Sequence, residues 1–148
     1  MRVADYIDHM LNAIERILRY TQGMSDSAFL SNELVQDAVI RNLEVVGEAA
    51  RNIERDHPAF ATAHPDVPWE EMYLMRNRVA HGYFSVDLGI VWQTLQLELP
   101  KLHQLLLRLK HGELQGAAVH ATSVHHFRRL SSSSQRSIAT SSSSSIAA

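Results

Sequence analysis

The sequence predicts an all-α domain, an antiparallel four-helix bundle, and three observations carry that expectation. Apolar residues recur at spacings of three and four in four successive segments, the period of a helix with one buried face. Glycine, proline and small polar residues mark the ends of most of these segments, as helix caps and stops do. The links between them are short, which makes consecutive helices antiparallel neighbours.

The first segment places Val3, Ile7, Met10, Leu11, Ile14, Ile17 and Leu18 on one face and Asp5, Asp8, Glu15, Arg16 and Arg19 on the other. Gly23 is its stop, and Ser25, Asp26 and Ser31 are candidate caps in the polar link that follows. The second helix spans about Asn32 to Arg55, with Leu34, Ala38, Leu43, Val46, Ala49, Ala50 and Ile53 as its buried stripe. Gly47-Glu48-Ala49-Ala50 puts small residues in mid-helix, where glycine costs on the order of 1 kcal/mol against alanine. A close approach of another helix backbone is the expected compensation. Within that patch Glu48 reads first as a half-exposed surface carboxylate, with a role in the site as the second reading.

Residues 56–68 are punctuated by Pro58, Pro65 and Pro68 and read as a loop. His57 and His64 lie there with Asp56 and Asp66, but no regular element fixes their geometry, so no metal site is assigned. Pro68 opens the third helix, Glu70 and Glu71 complement its dipole, and Gly82 ends it just after His81. Asp87 caps the fourth, whose inner face carries Leu88, Val91, Trp92, Leu95, Leu99, Leu102, Leu106 and Leu109. Pro100 lies inside that pattern and is expected to kink the helix without stopping it, because the leucine period continues beyond. Residues 1–112 therefore form the helical domain. Residues 113–148, with serine runs at 131–134 and 141–145, read as a disordered tail.

Composition narrows the function classes. A chain of 148 residues with 45% hydrophobic residues is long enough for one domain with a core. It has no cysteine, hence no disulfide frame and no thiolate chemistry. No apolar run reaches the roughly 18 residues of a membrane span, and no signal-peptide pattern opens the chain, so a cytoplasmic location is expected. The formal net charge is −2, and the acids are confined to residues 1–113. An acidic body argues against non-specific coating of nucleic acid, though not against a small basic cleft.

One stretch stands apart: Arg76-Asn77-Arg78-Val79-Ala80-His81-Gly82-Tyr83-Phe84. At about 100° per residue, Asn77 and His81 fall within about 140° of Arg76, on one side of a helical end. A guanidinium, a carboxamide and an imidazole converging there can grip a phosphate and move a proton. Tyr83 lies just past the helix end, close to both.

Arg76-Asn77-x-x-x-His81-x-Tyr83 resembles the Arg-x4-His-x-Tyr motif of the HEPN superfamily, and within it the HepT-like toxins that pair with minimal nucleotidyltransferase (MNT) antitoxins. The segment Arg41 to Ala50 resembles the second-helix signature of that family, and Pro68-Trp69 and Asp87 to Trp92 follow in the family's order. The likeness covers about residues 1–110. It implies an HEPN-like bundle and a metal-independent endoribonuclease toxin of a type II toxin–antitoxin pair, with no cofactor. It further implies RNA as substrate and a homodimer in which two motifs face one cleft. Arg76, Asn77 and His81 would be the catalytic set, and Tyr83 the tyrosine that the MNT partner modifies by AMPylation.

The chemistry suits those residues. RNA can be cut by its own 2′-hydroxyl, given a base, an acid and positive charge on the developing phosphate dianion. Imidazole, with a reference pKa of about 6.5, serves as acid or base near neutrality. One motif brings one histidine where two proton-transfer partners are wanted, and a dimer would bring the second. The competing expectation is a non-catalytic HEPN-type helical partner that binds a nucleotidyltransferase or a nucleotide.

Overall fold

The computed structural model describes residues 1–81 and 87–112, with only the backbone of His81. Every regular element among them is helical: α1 (Val3–Tyr20), α2 (Asp26–Leu30), α3 (Glu33–Asp56), α4 (Pro58–Ala63), α5 (Trp69–His81), α6 (Leu88–Leu97) and α7 (Leu99–Lys110). The segment 82–86 and the tail from residue 113 lie outside the described residues, and with them the expected helix stop at Gly82, the expected modification site Tyr83 and the serine runs.

Cross-helix partners show which way each helix runs. Tyr6 near the start of α1 meets Asp56 at the end of α3. Glu15 and Asp8 of α1 meet His103 and Lys110 of α7, in reversed order. Gly47 of α3 faces Arg76 and Met72 of α5, while Arg51, one turn on, reaches back to Tyr73. Neighbouring long helices are therefore antiparallel, and α3 packs against both α1 and α5. Met10, Ile14, Ile17, Leu43, Ile53, Met72, Met75, Leu95, Leu99 and Leu106 are sealed in the core between them.

Local chemistry sets the helix ends. Gly23 has φ +73°, a left-handed conformation cheap only for glycine, and it turns the chain after α1. The Ser25 hydroxyl accepts from the Ala28 N–H to cap α2, and the Asn32 carboxamide accepts from Val35 to cap α3. Asp87 accepts from both Gly89 and Ile90 at the start of α6. Near Pro100 the expected single fourth helix is two, α6 and α7, which share Glu98 as a cap: its N–H donates to the Thr94 carbonyl and its carbonyl accepts from Leu102.

Three further expectations need correction. Leu34 is 80% exposed and does not belong to the buried stripe of α3. Gln36, about 200° further round the helix, points inward in its place and donates to the Phe29 carbonyl at 2.9 Å, tying α2 to α3. The polar link after α1 contains the short helix α2, whose Phe29 is fully buried and stacks on Trp92. Residues 56–68 are not all loop, because Pro58 opens the single-turn-and-a-half helix α4. There the His64 Nδ1–H donates to the Phe60 carbonyl, and the Trp69 indole N–H donates to the His64 carbonyl.

The α1–α3 junction carries a pH signature. The Tyr6 hydroxyl donates to Asp56 at 2.8 Å. Hydrogen bonds from Arg55 first, then Tyr6, hold the Asp56 carboxyl down from 3.8 to about 2. A depressed carboxyl stabilises the fold above its unfolded pKa, and that contribution is lost as pH falls from about 4 towards about 2. Urea titrations of Asp56→Asn beside the parent chain are expected to differ at pH 6 and to converge by pH 2. A constant difference across that window would mean the carboxylate charge is not what matters.

Candidate functional site

The site is built on the crossing of α3 and α5. A Cβ placed on Gly47 would sit 2.2 Å from the Arg76 Cβ and 2.6 Å from the Met72 carbonyl oxygen. The two backbones meet there because residue 47 has no side chain, as the small-residue patch of α3 predicts. Met72, Met75 and Val79 turn into the core and fix the rotation of α5. That rotation leaves Arg76, Asn77 and Arg78 half-buried at the border of the α3 face.

Arg76 is held from two sides. Its Nη1 donates to the Asn77 carboxamide oxygen at 2.9 Å, and its Nη2 lies 3.3 Å from Glu48 Oε2. A guanidinium has five N–H donors, so these two contacts aim the group and leave further donors for a ligand. Asn77 is thus engaged with Arg76 through its carboxamide oxygen. The backbone of His81 lies in the last turn of the same helix, about one turn beyond Asn77. Its imidazole, and Tyr83, lie outside the described residues.

Glu48 is half-exposed, as the sequence suggests, and it also pairs with Arg76. Nothing local marks it, since its partner is 28 positions away on another helix. The one usable signal was its place beside Gly47 in the small-residue patch, where a second helix had to come close. Arg51 and Arg55 were not assigned to the site, and both are occupied elsewhere. Arg51 stacks over the Tyr73 ring at 4.9 Å and pairs with Glu54, while Arg55 holds Asp56 at 2.7 Å. Burial, only partly offset by Arg51, raises the Glu54 carboxyl above its ordinary value. His57 bonds the Met1 carbonyl and His64 the Phe60 carbonyl, so each is committed to backbone.

A cleft of about 240 Å³ opens beside Arg76, between the start of α1 and the face of α3 that carries Glu48. No helix among the described residues is long and apolar enough to cross a membrane.

Known proteins are similar to this chain over most of its helical part. The family model described as "Ribonuclease HepT-like" matches residues 10–109. A "Probable ribonuclease HepT" of Thermococcus cleftensis is 41% identical over 98 residues, 66% of this chain and 86% of that protein. A "Putative RNase" of Caldanaerobacter subterraneus subsp. tengcongensis is 33% identical over 108 residues, 73% of this chain and 94% of the relative. A protein of Methanocaldococcus jannaschii named as a gamma-glutamylcyclotransferase and putative RNase is 36% identical over 104 residues, 70% of this chain but 46% of its own length. No solved structure matches the chain. The matched residues contain both helices of the Arg76 crossing, and the chain belongs to the HepT-like ribonuclease family.

Proposed function

We propose that this ribonuclease is a metal-independent endoribonuclease toxin of a type II toxin–antitoxin pair, acting through Arg76, Asn77 and His81. The observation that carries the reading is Arg76, a guanidinium gripped by Glu48 and Asn77 at a glycine-tight helix crossing. Such a group is preorganised for a phosphate, and donors that need no reorganisation contribute most where charge develops in the transition state.

The reaction runs on the substrate's own nucleophile. A base removes the proton from the 2′-hydroxyl, and O2′ attacks the adjacent phosphorus. The bond to the 5′-oxygen breaks, and an acid returns a proton to that oxygen. The products are a 2′,3′-cyclic phosphate and a 5′-hydroxyl. His81 takes one proton-transfer role, and His81 of a second copy takes the other in a homodimer. Arg76 carries the charge on the phosphate oxygens.

Tyr83 is the proposed switch. AMPylation there by an MNT-type nucleotidyltransferase would set bulk and a negative phosphate beside the guanidinium, in competition with substrate. Tyr83→Phe is expected to cleave RNA at near-parent rate and to escape silencing by the partner. Loss of cleavage in that variant would move Tyr83 into the catalytic set.

Incubation of the purified chain with RNA in EDTA, beside His81→Ala, tests the central reading. Chelator-resistant cleavage that falls by about 10²–10⁴-fold in the variant is the expected result. An RNA carrying a 2′-deoxy residue at the cut site should resist, since the nucleophile is gone. Cleavage that stops on chelation, or that persists in His81→Ala, would overturn it.

A further inference from the structure

We propose that the cleft beside Arg76 is a base-reading subsite, which takes a guanine flanking the scissile phosphate of single-stranded RNA. This rests on the reading of Arg76 as the phosphate ligand and extends it to substrate choice.

Size sets the first limit. About 240 Å³ is below the roughly 300–1,000 Å³ of pockets that hold drug-sized ligands, and it suits one ring system. The shape of the lining sets the second. Glu44, Val45, Glu48 and Asn52 recur at helical spacing on one face of α3, and Tyr6 of α1 stands across from them. Val45 and the buried Ala49 give an apolar floor, and the polar groups rise at its edges. A nucleobase has that same division, with apolar faces and a polar edge.

Charge then separates base from phosphate. The two arginines that line the cleft already face carboxylates, Arg41 with Glu44 at 3.4 Å and Arg76 with Glu48 at 3.3 Å. His9 and Asn52 also line the cleft, but Glu44 and Glu48 set two carboxylates beside its space, and these disfavour a second phosphate. An ionised carboxylate accepts hydrogen bonds and donates none, so the cleft selects an edge rich in N–H groups. Guanine presents N1–H and the N2 amino group side by side on its Watson–Crick edge. Adenine and cytosine present one amino group next to an acceptor, which a carboxylate repels. The Asn52 carboxamide makes no side-chain hydrogen bond among the described residues and is free to meet the guanine O6 or N7. Sequence-specific reading of RNA works on single-stranded bases, taken by their Watson–Crick edges against a flat side-chain surface.

The test has a cleavage arm and a binding arm. Cut sites mapped on a random-sequence single-stranded RNA are expected to show guanine enriched at one fixed position next to the broken bond. Glu44→Gln, which keeps the shape and removes the charge, and Asn52→Leu are each expected to reduce that enrichment about tenfold. In the binding arm, fully 2′-O-methylated RNA that cannot be cut carries a single guanine or, in its twin, inosine, which lacks the N2 amino group. The parent chain is expected to bind the guanine form about tenfold more tightly, and Glu44→Gln to bind both alike. Cleavage without guanine preference, or equal affinity for the two RNAs in the parent chain, overturns the subsite. Absence of cleavage together with guanine-selective binding would instead remove the nuclease reading and leave the subsite standing.

Discussion

Gly47→Ala is expected to destabilise the fold and to depress RNA cleavage together. In most helices this substitution helps, since alanine is favoured over glycine by about 1 kcal/mol. Here the new methyl group would lie 2.2 Å from the Arg76 Cβ and 2.6 Å from the Met72 carbonyl oxygen. Neither neighbour is the far end of a flexible side chain. Both are fixed to the backbone of α5, so α3 and α5 must move apart along their contact. Overpacking of this kind typically costs about 1–3 kcal/mol, enough to exceed the gain in helix propensity. Gly47→Val should go further, because it adds two more methyl groups at the same point. The checks are a lowered urea midpoint at unchanged slope, and a fall in kcat at temperatures where the variant is still folded. A Gly47→Ala chain more stable than its parent would show that the helices do not meet there.

The same glycine shows how far the sequence could be read. A glycine among small residues in a strongly periodic helix signals close approach, and α3 does meet another backbone there. The identity of the second helix is not legible, and for that reason the sequence leaves the role of Glu48 open. The ion pair with Arg76 depends on which turn of α5 lies opposite residue 48, and local pattern carries no such information. The long helices were visible because three or more turns repeat their apolar period. α2 and α4, of five and six residues, are too short to show a period and were read as links. Leu34 misled for a related reason. In the first turn of α3 the inward direction is set by the contact with α2, and Gln36 takes it through the Phe29 carbonyl. The cleft was equally hidden, since it joins the start of α1 to the middle of α3.

Arg76→Ala is expected to reduce kcat by about 10²–10³-fold with little change in stability. The stability half follows from exposure. The Arg76 and Glu48 side chains retain 31% and 49% of their accessible surface, and pairs in such solvent contact contribute about 0–1 kcal/mol. Loss of cleavage therefore cannot be assigned to unfolding. Arg76→Lys should recover only part of the rate, because an ammonium keeps the charge and loses the paired, planar donors that match a phosphate. Glu48 is expected to act through Arg76 as a positioning residue. Glu48→Ala frees one side of the guanidinium and should lower kcat by less, on the order of tenfold. In an Arg76→Ala background the same change should do almost nothing more, since residues that act as a unit are far from additive. A tenfold loss in both backgrounds would mean that Glu48 meets the substrate directly, and that the ion pair is incidental to the chemistry.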